Sequence, residues 1–597
     1  MFRIRRVYDD ITPANQEAIA QVQDILRAQF PGLSKKDVAK LPEQLRNPLK
    51  YRFRSVLFIA EGAKGHVNGF ALLFHEAALK FCYLDYVSAA EQMTGSGIGG
   101  ALYERVREEA FDLNTIGLFF ECLPDDPGLS RNPEIRKQNA ARLRFYERYG
   151  ARPIANTAYE TPLKPGDDNP PYLVFDDLGQ GIELPHDIAR KIVRAILERK
   201  YKGVCPPDYI ETVVNSFQDD PVILRKPMYV KKPPVPIRRT TPLDKRIILV
   251  INDRHWIHHV EERGYVESPV RIDTILKELD GTDLFQKVPP RHFSEKHIKA
   301  VHDSRFVDYL RKVCINLEPG ASVYPYVFPV RNRTRPPKDL PIRAGYYCID
   351  TFTPINGNAY LAAKRAVDCA LTATKKLLEG YRLAYALVRP PGHHAEPATF
   401  GGFCYFNSAA IAAQLLSSYG KIAILDVDYH HGNGQQEIFY DRSDVLTISI
   451  HGHPSIAYPY FSGFGGEKGR GAGRGYNINI PLPESVDGEY YRNVLRDVIK
   501  RVTRFNPRFL VIPLGLDTAK EDPTGSWSLE AKDFASIGEM IGSLRLPSLV
   551  VQEGGYDTRV LGINARHFLA GLWSGAYSSE TARAGLKKTI LSSSIAQ

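Results

Sequence analysis

The stretch Ile422-Ala423-Ile424-Leu425-Asp426-Val427-Asp428-Tyr429-His430-His431-Gly432-Asn433-Gly434 decides the fold of the carboxy-terminal half of this chain. Its apolar first part predicts a buried strand, which delivers the carboxylates and imidazoles that follow at its carboxyl end. Because alternate residues of a strand project to one side, we expect Asp426, Asp428 and His430 to project together. A carboxylate and an imidazole that converge make half of a zinc site, and burying them without a metal would be costly. The alternative is a polar surface turn, which three further segments disfavour.

Polar clusters also follow three other apolar strands. The strands and their clusters are residues 383–388 with 389–394, residues 509–513 with 514–517, and residues 548–551 with 553–556. Further strands are predicted at Ile247–Ile251 and residues 445–450, and helices at residues 360–378, 409–416, 490–504 and 530–541. Apolar strands that alternate with helices predict a parallel sheet covered on both faces. Ligands bind beyond the carboxyl ends of such strands, so we expect the four clusters to meet there.

Residues from about 246 to 575 resemble the histone deacetylase superfamily and are most similar to its bacterial acetylpolyamine amidohydrolase branch. The matching strings are Gly345-Tyr346-Tyr347-Cys348, residues 389–395, Gly401-Gly402-Phe403-Cys404, residues 426–434, Ser449-Ile450-His451-Gly452 and Glu553-Gly554-Gly555-Tyr556. The resemblance implies an arginase/deacetylase-type three-layer α/β fold with a parallel sheet. It also implies one catalytic zinc and the release of acetate from an N-acetylated amine, such as acetyl-lysine, an acetylpolyamine or a related acyl-amine.

The residue chemistry agrees with that activity. Asp428, His430 and Asp517 would hold zinc and leave positions open for water and substrate, as a catalytic site requires. An arginase-like site with two manganese ions needs a second carboxylate two residues after the downstream Asp, but Thr518 and Ala519 follow Asp517. One metal is therefore favoured.

His394 is the candidate general base and later acid, since an imidazole can move protons at neutral pH. His393, paired with Asp426, would give electrostatic and orienting support. Asn433 stands where some relatives carry Asp as the partner of His394, and a neutral partner favours a base over an imidazolium. The alternative is that the two histidines are a buried hydrogen-bonded pair.

Tyr556 is predicted to donate its hydroxyl to the tetrahedral oxyanion. By resemblance, Gly402, Phe403 and Tyr458 form the aromatic tunnel for the acyl-amine chain. Tyr556 and Phe403 could instead be core aromatics. Ser449 matches a family potassium site by resemblance only, because its other ligands would be main-chain oxygens.

The segment of residues 330–343 precedes the Gly-Tyr-Tyr string, where the acetylpolyamine relatives carry acidic residues. Here it contains Arg331, Arg333, Arg335, Lys338 and Arg343 against a single acid, Asp339. Like charges at a narrow mouth repel a polycation. We therefore leave acetyl-lysine or another small acylated amine as open as a polyamine.

A glycine-rich turn marks the amino-terminal part, among strands predicted at residues 56–60, 69–74 and 81–87. The string Gln92-Met93-Thr94-Gly95-Ser96-Gly97-Ile98-Gly99-Gly100 resembles the coenzyme A loop of the GNAT superfamily of N-acetyltransferases. Free N–H groups of the following helix, predicted at about residues 101–111, could bind a pyrophosphate. By this resemblance, Gln92, Gly95, Gly97, Ile98, Gly99 and Gly100 bind acetyl-CoA.

The segment of residues 139–151 resembles the second GNAT signature. It implies that Asn139 lies near the coenzyme and that Tyr146 protonates the leaving thiolate. No carboxylate is marked as the base for the amine, and Glu121 and Asp85 are candidates at strand positions. The alternative is a module without catalysis that senses acetyl-CoA or recruits a partner.

The composition sets the remaining expectations. A chain of 597 residues predicts more than one domain, and its 43% hydrophobic and 24% charged fractions are those of a soluble globular protein. We expect a GNAT α+β fold with a central mixed sheet at 1–163 and the deacetylase-like domain at 246–580. Residues 164–245 are predicted to be a connector, with an appendage of the first domain as the alternative. Residues 581–597 are predicted to be a tail. A plausible helix covers residues 188–200, and the basic, proline-rich residues 225–246 are typical of an extended linker.

The net charge of +10 permits a polyanionic partner, but nucleic acid is not expected, because much of the excess lies in two local stretches. The 7 cysteines form no CxxC pair, which is typical of a reducing compartment. No signal peptide or membrane span is apparent, so we expect a cytoplasmic protein with no membrane partner. A homodimer is left open.

Overall fold

The structure is a computed structural model that describes residues 2–62, 65–90, 97–163, 168–231, 234–237, 240–262, 264–328 and 334–577. The chain divides into two compact units, an amino-terminal unit up to Asp244 and a carboxy-terminal unit from Lys245. None of the described helices is both long and apolar enough to cross a membrane.

The amino-terminal unit is built on one mixed sheet. Its helices are α1 (Pro13–Gln29), α2 (Lys35–Ala39), α3 (Leu41–Arg46), α4 (Pro48–Tyr51), α5 (Ile98–Asp112), α6 (Pro133–Glu147), α7 (His186–Ala195) and α8 (Pro207–Asn215). Its strands are β1 (Arg3–Val7), β2 (Arg54–Glu61), β3 (Val67–Glu76), β4 (Phe81–Ala89), β5 (Leu118–Cys122), β6 (Arg152–Pro153) and β7 (Tyr172–Asp176). They lie in the order β1-β2-β3-β4-β5-β7-β6. Only the β4–β5 pair is parallel among these described strands.

Alternating side chains of β2 supply two apolar cores, as the period of two of a strand requires. Leu57 and Ile59 join a core with α1, α7 and α8, whereas Val56, Phe58 and Ala60 join a core with α5. Strand β7 and helices α7 and α8 lie after residue 163 and pack in this unit. The described residues between 168 and 244 therefore group with the first unit.

Strands β4 and β5 pair over a short distance only. Their register covers Cys82 to Leu84 of β4, although β4 continues to Ala89. On its other side, β4 pairs with β3, and the register shifts between Leu72 and Leu73 of β3. Leu72 pairs with Tyr86 and Leu73 with Leu84, so Asp85 has no partner in this ladder. Such a bulge bends a strand. A gap therefore opens between the carboxyl ends of the two parallel strands.

The described residues of the carboxy-terminal unit form a central parallel sheet of eight strands. Its strands are β8 (Ile247–Ile251), β9 (Phe285–Lys287), β10 (Ser322–Val323), β11 (Ile355–Asn356), β12 (Leu383–Leu387), β13 (Ile422–Asp426), β14 (Val445–Gly452), β15 (Asn477–Leu482), β16 (Phe509–Leu514) and β17 (Ser548–Gln552). Its helices are α9 (Val270–Leu279), α10 (Ser304–Asn316), α11 (Leu340–Arg343), α12 (Ala359–Leu378), α13 (Ser408–Ser417), α14 (Asn433–Phe439), α15 (Gly488–Phe505), α16 (Ala531–Gly542) and α17 (Leu561–Tyr577). The order is β15-β14-β13-β16-β17-β12-β8-β9, and the β10–β11 pair stands apart.

Helices cover both faces of this sheet. Ile422 and Ile424 of β13 pack with α12 and α13, while Ala423 and Leu425 belong to the opposite core, which includes α9, α15, α16 and α17. The strand is buried on both faces, which explains its continuous apolar sequence. The predicted parallel α/β fold is confirmed for this part of the chain.

Candidate metal centre and active site

Four neighbouring strands at the centre of the parallel sheet deliver the polar clusters. Strands β13, β16, β17 and β12 lie side by side in that order. Asp426 ends β13, Asp517 follows β16, Glu553 follows β17, and His393 follows β12. Because all four strands run in parallel, these residues meet at one edge of the sheet.

Asp428, His430 and Asp517 converge on one point. Each offers a ligand atom within 4.8 Å of the other two. The Nδ1 atom of His430 lies 3.0 Å from Asp517 Oδ2 and 3.3 Å from Asp428 Oδ1. Both carboxylates are fully buried. One imidazole nitrogen and two buried carboxylates facing one point are a donor set that fits zinc.

Two glycines let the carboxylates come this close. A Cβ on Gly554 would lie 2.4 Å from Asp517 Oδ2 and 2.7 Å from Asp428 Oδ2. A Cβ on Gly515 would lie 2.2 Å from Asp428 Oδ2. The backbone N–H of Gly554 donates to Asp428 Oδ2 at 2.8 Å, which orients that carboxylate.

His393 and His394 have different hydrogen-bond partners. The Nδ1 atom of His393 lies 3.1 Å from Asp426 Oδ2, and that of His394 lies 2.7 Å from Asn433 Oδ1. The two rings are 4.0 Å apart, and both are 3% exposed. The structure thus pairs one histidine with a carboxylate and the other with a neutral amide.

The charges around the histidines separate their pKa values. Burial lowers the pKa of His393, but Asp428 and Asp426 outweigh it and raise that pKa to about 10. Burial, together with the positive charge of His393 and His430, holds the pKa of His394 well below its ordinary value. When the pKa values of two neighbouring groups are shifted in opposite directions, one group is charged and the other is neutral and can accept a proton.

Two members of the candidate metal-binding trio hold protons at neutral pH when no metal is bound. Burial lowers the pKa of His430, but hydrogen bonds to Asp428 and Asp517 raise it to about 9. Burial and the charge of Asp428 raise the pKa of Asp517 to about 7. A cation at this point would therefore have to displace protons.

Tyr556 lies at the rim of the centre. Its backbone N–H donates to Asp522 Oδ2 at 2.7 Å. The guanidinium of Arg271 lies 4.6 Å from the centre of the Tyr556 ring, and its Nε donates to the Gly555 carbonyl at 2.6 Å. These contacts fix the turn that carries Tyr556.

Aromatic side chains surround the approach to His394. The ring of Tyr458 lies 4.7 Å from that of His394, and the ring of Phe403 lies 5.8 Å from that of Tyr556. Phe352 stands between them, 5.7 Å from both Phe403 and Tyr458. A slot with aromatic walls suits an apolar chain.

The glycine before Phe403 is required by close packing. Gly402 has a φ of +54°, and a Cβ there would lie 2.3 Å from His394 Cδ2. Its N–H donates to Asp350 Oδ2 at 2.6 Å, and the Tyr458 hydroxyl donates to the same oxygen at 2.9 Å. Asp350 therefore holds two walls of the slot together.

Sequence reasoning missed several residues that support the site. Asp350 and Arg271 come from segments with no metal-binding pattern. Gln435, whose Nε2 donates to Asp426 Oδ2 at 2.5 Å, directly follows the metal-binding string at Gly434. Glu553 stands in the quoted Glu-Gly-Gly-Tyr string but received no role. Its Oε2 accepts the N–H groups of Gly392 and His393. Its position directly before the two glycines was the available signal.

Glu553 also belongs to a second buried trio that could hold a metal, with His393 and Cys404. His393 is already paired with Asp426, and Glu553 already accepts two backbone N–H groups. The trio of Asp428, His430 and Asp517 is therefore the better candidate.

The predicted coenzyme residues of the amino-terminal unit are only partly described. Gln92 and Gly95 lie outside the described residues. Gly97 precedes α5 with a φ of +81°, and Ile98, Gly99 and Gly100 form the first turn of that helix. A Cβ on Gly97 or Gly99 would meet nothing within 4 Å among the described residues. The helix therefore begins beside open space in the part of the chain that the structure describes.

Asn139 and Tyr146 lie in different surroundings. The Nδ2 of Asn139 donates to the Pro124 carbonyl at 2.8 Å, which gives this buried residue a structural bond. Tyr146 lines a cavity of about 240 Å³, the strand-gap cavity, which is lined from β4 by Leu84 to Ser88 and from β5 by Phe120 to Cys122. Burial raises the pKa of Tyr146.

The basic segment before Gly345 is also partly described. Arg331 and Arg333 lie outside the described residues. Arg335 and Lys338 are exposed, while Arg343 donates to the Pro337 carbonyl at 2.6 Å.

The fold and the site together are those of a deacetylase of the α/β class. The profile of the histone deacetylase domain matches residues 265–572. The chain belongs to the histone deacetylase family, and its carboxy-terminal part is a deacetylase of the histone deacetylase and acetylpolyamine amidohydrolase type.

Individual relatives point to one branch of that family. The chain is 40% identical to acetylpolyamine amidohydrolase 2 of Pseudomonas aeruginosa over 54% of its own length and 98% of the relative. It is 37% identical to acetylpolyamine amidohydrolase of Mycoplana ramosa over 51% of its own length and 92% of the relative. The crystal structure of acetylpolyamine aminohydrolase from Burkholderia pseudomallei matches with a TM-score of 0.52 and 36% identity, covering 55% of this chain and 99% of that one. The predicted resemblance of the carboxy-terminal part is confirmed.

Proposed function

We propose that the carboxy-terminal unit is a zinc-dependent amidohydrolase that converts an N-acetylated amine to the amine and acetate. The convergence of Asp428, His430 and Asp517 beside the His393–His394 pair carries this proposal. A zinc ion held by these three residues would polarise the amide carbonyl and acidify the attacking water.

His394 is proposed as the general base. Its neutral partner Asn433 orients the ring through a 2.7 Å contact without stabilising the imidazolium. His394 takes a proton from the attacking water and later delivers it to the departing amine. His393, kept positive by Asp426 and Asp428, stabilises the negative charge that develops beside it.

Tyr556 is proposed as the donor to the oxyanion. Gly554 and Gly555 place it beside the metal-binding trio, and burial keeps its hydroxyl protonated by raising its pKa. A hydroxyl aimed at the developing charge is worth about 10²–10³ in rate. Its ring and Phe403 also border the slot.

For the substrate, we propose a small acetylated amine, an acetyl-lysine side chain or an acetylpolyamine. The slot of Phe403, Tyr458 and Phe352 fits an extended aliphatic chain, and the relatives named above are acetylpolyamine amidohydrolases. The exposed Arg335 and Lys338 act against a polycation. We therefore propose no preference for polyamines.

A substrate panel tests this proposal. Acetylpolyamines, acetyl-lysine peptides and small acetyl-amines are compared with the wild type and with Tyr556→Phe. We expect turnover that is lost when a chelator removes the metal. No acetate from any of them with zinc present would reject the activity, and a monoacetylpolyamine hydrolysed far faster than all others would reject the absence of preference.

We propose in addition a structural potassium near Ser449. This residue pairs in register with Asp426, and its hydroxyl lies 2.8 Å from His451 Nδ1. The test exchanges potassium for a large organic cation. If activity and melting temperature are both unchanged, the potassium site is rejected.

For the amino-terminal unit, we propose a GNAT-like fold that binds acetyl-CoA and transfers its acetyl group to an amine. The gap between the parallel strands β4 and β5, the strand-gap cavity with Tyr146, and the glycine-rich start of α5 support it. We propose that the strand-gap cavity holds the thioester. Backbone N–H groups at such a helix start can hold a pyrophosphate. A non-catalytic module that senses acetyl-CoA is the second candidate.

Thermal stabilisation by acetyl-CoA tests the binding that both candidates share, and an acetyl-transfer assay separates them. Since a Cβ on Gly99 would meet nothing within 4 Å among the described residues, Gly99→Leu is expected to fold normally but to block the coenzyme. Gly32→Leu, also in open space, is the matched control. Stabilisation without any acetyl transfer would favour the sensor, and no stabilisation of the wild type would reject both.

We further propose a cytoplasmic location, supported by the described cysteines, which are all free. Cell fractionation tests it. The homodimer remains a prediction, which a measurement of the molar mass by light scattering would test.

A further inference from the structure

The amino-terminal unit contains a second cavity, of about 350 Å³, which we name the tyrosine cavity. Its walls include Tyr159, Tyr201, Tyr209 and Leu197, together with several prolines. Most of these residues come after the second GNAT-like signature, from the segment that contains α7 and α8. A π-helical turn at Ile196–Lys200 links these helices, and such turns are frequent at functional sites.

Glu121 lines two cavities of this unit. It lines the tyrosine cavity and also the strand-gap cavity proposed to hold the thioester of acetyl-CoA. The hydroxyl of Tyr159 donates to Glu121 Oε1 at 2.7 Å, and the hydroxyl of Tyr201 donates to Glu121 Oε2. The Tyr83 hydroxyl interacts with the same carboxylate. A carboxylate has four lone pairs, so these three hydroxyls leave one for a ligand. The carboxylate is thus held at the junction of two cavities.

The charges at this junction are unbalanced. Lys200 is the cation within ion-pair distance of both carboxylates, with its Nζ 2.8 Å from Asp85 Oδ1 and 4.0 Å from Glu121 Oε2. The exposed Arg142 also lines the strand-gap cavity. One ammonium faces two carboxylates, which leaves one negative charge. Among the described residues that line the tyrosine cavity, Glu121 and Asp168 are acidic and none is basic. A bound cation would restore neutrality where burial makes an unpaired charge costly.

We propose that the tyrosine cavity binds the acetyl acceptor and that this acceptor is a small primary amine on an apolar body. The proposal rests on the acetyl-CoA role proposed above. The ammonium lies against Glu121, and the tyrosine, leucine and proline walls cover the apolar body. A volume of about 350 Å³ lies at the small end of small-molecule sites, which favours a free metabolite over a protein side chain with its flanking chain.

The transfer step balances with these groups. Glu121 accepts one proton from the ammonium, and the neutral nitrogen attacks the thioester carbonyl carbon. A C–N bond forms, the C–S bond breaks, and the thiolate leaves with a proton from Tyr146, which lines the adjoining cavity. The amide nitrogen releases its second proton as the intermediate collapses, and that proton restores Tyr146. One proton passes from Glu121 to solvent in each cycle.

Calorimetry on the full chain tests the assignment with 2-phenylethylamine and with 2-phenylethanol, its neutral counterpart. We expect the amine to bind at least about tenfold more tightly, because a hydrogen bond to a buried charge discriminates by that order. Glu121→Gln is expected to abolish this difference, and Glu17→Gln, at an exposed position of α1, to leave it unchanged. Cys205→Trp, which places an indole ring in the cavity, is expected to weaken amine binding at least about tenfold and serves if Glu121→Gln misfolds.

Thiol release from acetyl-CoA gives the second readout, with the amine and with a lysine peptide as acceptors. Equal binding of amine and alcohol, unchanged amine binding by Glu121→Gln, or a lysine peptide as the better acceptor would overturn the proposal. If acetyl-CoA stabilises the protein but the amine does not bind, this inference fails and the coenzyme role stands. If the amine binds through Glu121 but acetyl-CoA neither stabilises nor reacts, the transferase fails and the amine site stands.

Discussion

Replacing Asn433 by Asp is expected to raise the pKa of His394. The Asn433 oxygen lies 2.7 Å from His394 Nδ1, so a carboxylate there would face the imidazolium directly. An opposite charge this close shifts a pKa by about 1–3 units, or about 1.4–4 kcal/mol in favour of the charged form. A general base must be neutral. The acid limb of kcat/KM is therefore expected to move to higher pH by up to that amount, with activity lost first at low pH.

A neighbouring carboxylate limits this shift in the single variant. The Nδ2 of Asn433 donates to Glu396 Oε1 at 2.9 Å, so a carboxylate introduced in place of this amide would face a like charge. Two carboxylates at this distance raise the pKa of one of them, and the introduced carboxyl group is then only partly ionised. The double variant Asn433→Asp with Glu396→Gln replaces the repulsion by an amide donor, so it is expected to show the full shift.

The assay is the pH dependence of kcat/KM for the wild type, Asn433→Asp, the double variant and Glu396→Gln alone as the control. We expect the acid limb of Glu396→Gln to lie at the same pH as that of the wild type. The acid limb of Asn433→Asp is expected at a higher pH, and that of the double variant at the highest pH. An active double variant whose acid limb coincides with that of the wild type would refute the assignment of His394 as the base.

Three further predictions concern the metal and the oxyanion. Tyr556→Phe is expected to lower kcat by about 10²–10³ with KM and zinc content unchanged, and an undiminished kcat in steady-state assays would remove Tyr556 from the chemistry. Gly554→Ala is expected to lower zinc occupancy by elemental analysis, since its Cβ would lie 2.4 Å from Asp517 Oδ2, whereas Gly466→Ala, in open space, is expected to keep the metal. Because the metal-free pKa values of His430 and Asp517 are about 9 and about 7, zinc must displace protons at neutral pH. Its affinity in dye competition is then expected to fall about tenfold per pH unit for each displaced proton as the pH is lowered, and a pH-independent affinity would contradict this protonation.

The sequence predicted the parallel sheet well because its strands are apolar on both faces. Predicted strands at residues 422–427 and 509–513 correspond to β13 and β16, and the polar residues after them do meet. Helix α17 was missed, because it is buried on most sides and shows little apolar periodicity. Burial by tertiary packing leaves no local signal of this kind.

Supporting residues from distant segments could not be predicted either. Arg271 lies on α9 and reaches Gly555 across more than half of the unit's sequence, while Asp350 joins Gly402 to Tyr458. Neither has a spacing that points to its partner. Likewise, the pairing of Glu121 with Tyr201 depends on how the segment after residue 163 folds back onto the first sheet.

Zinc titration of the metal-free protein, with acetate release measured at each addition, tests the central claim most directly. We expect activity to rise in proportion to added zinc and to reach its plateau at one zinc per chain, with no activation of Asp517→Asn over the same range. Full activity before any metal is added, or a plateau only at two metals per chain, would contradict a single zinc held by Asp428, His430 and Asp517.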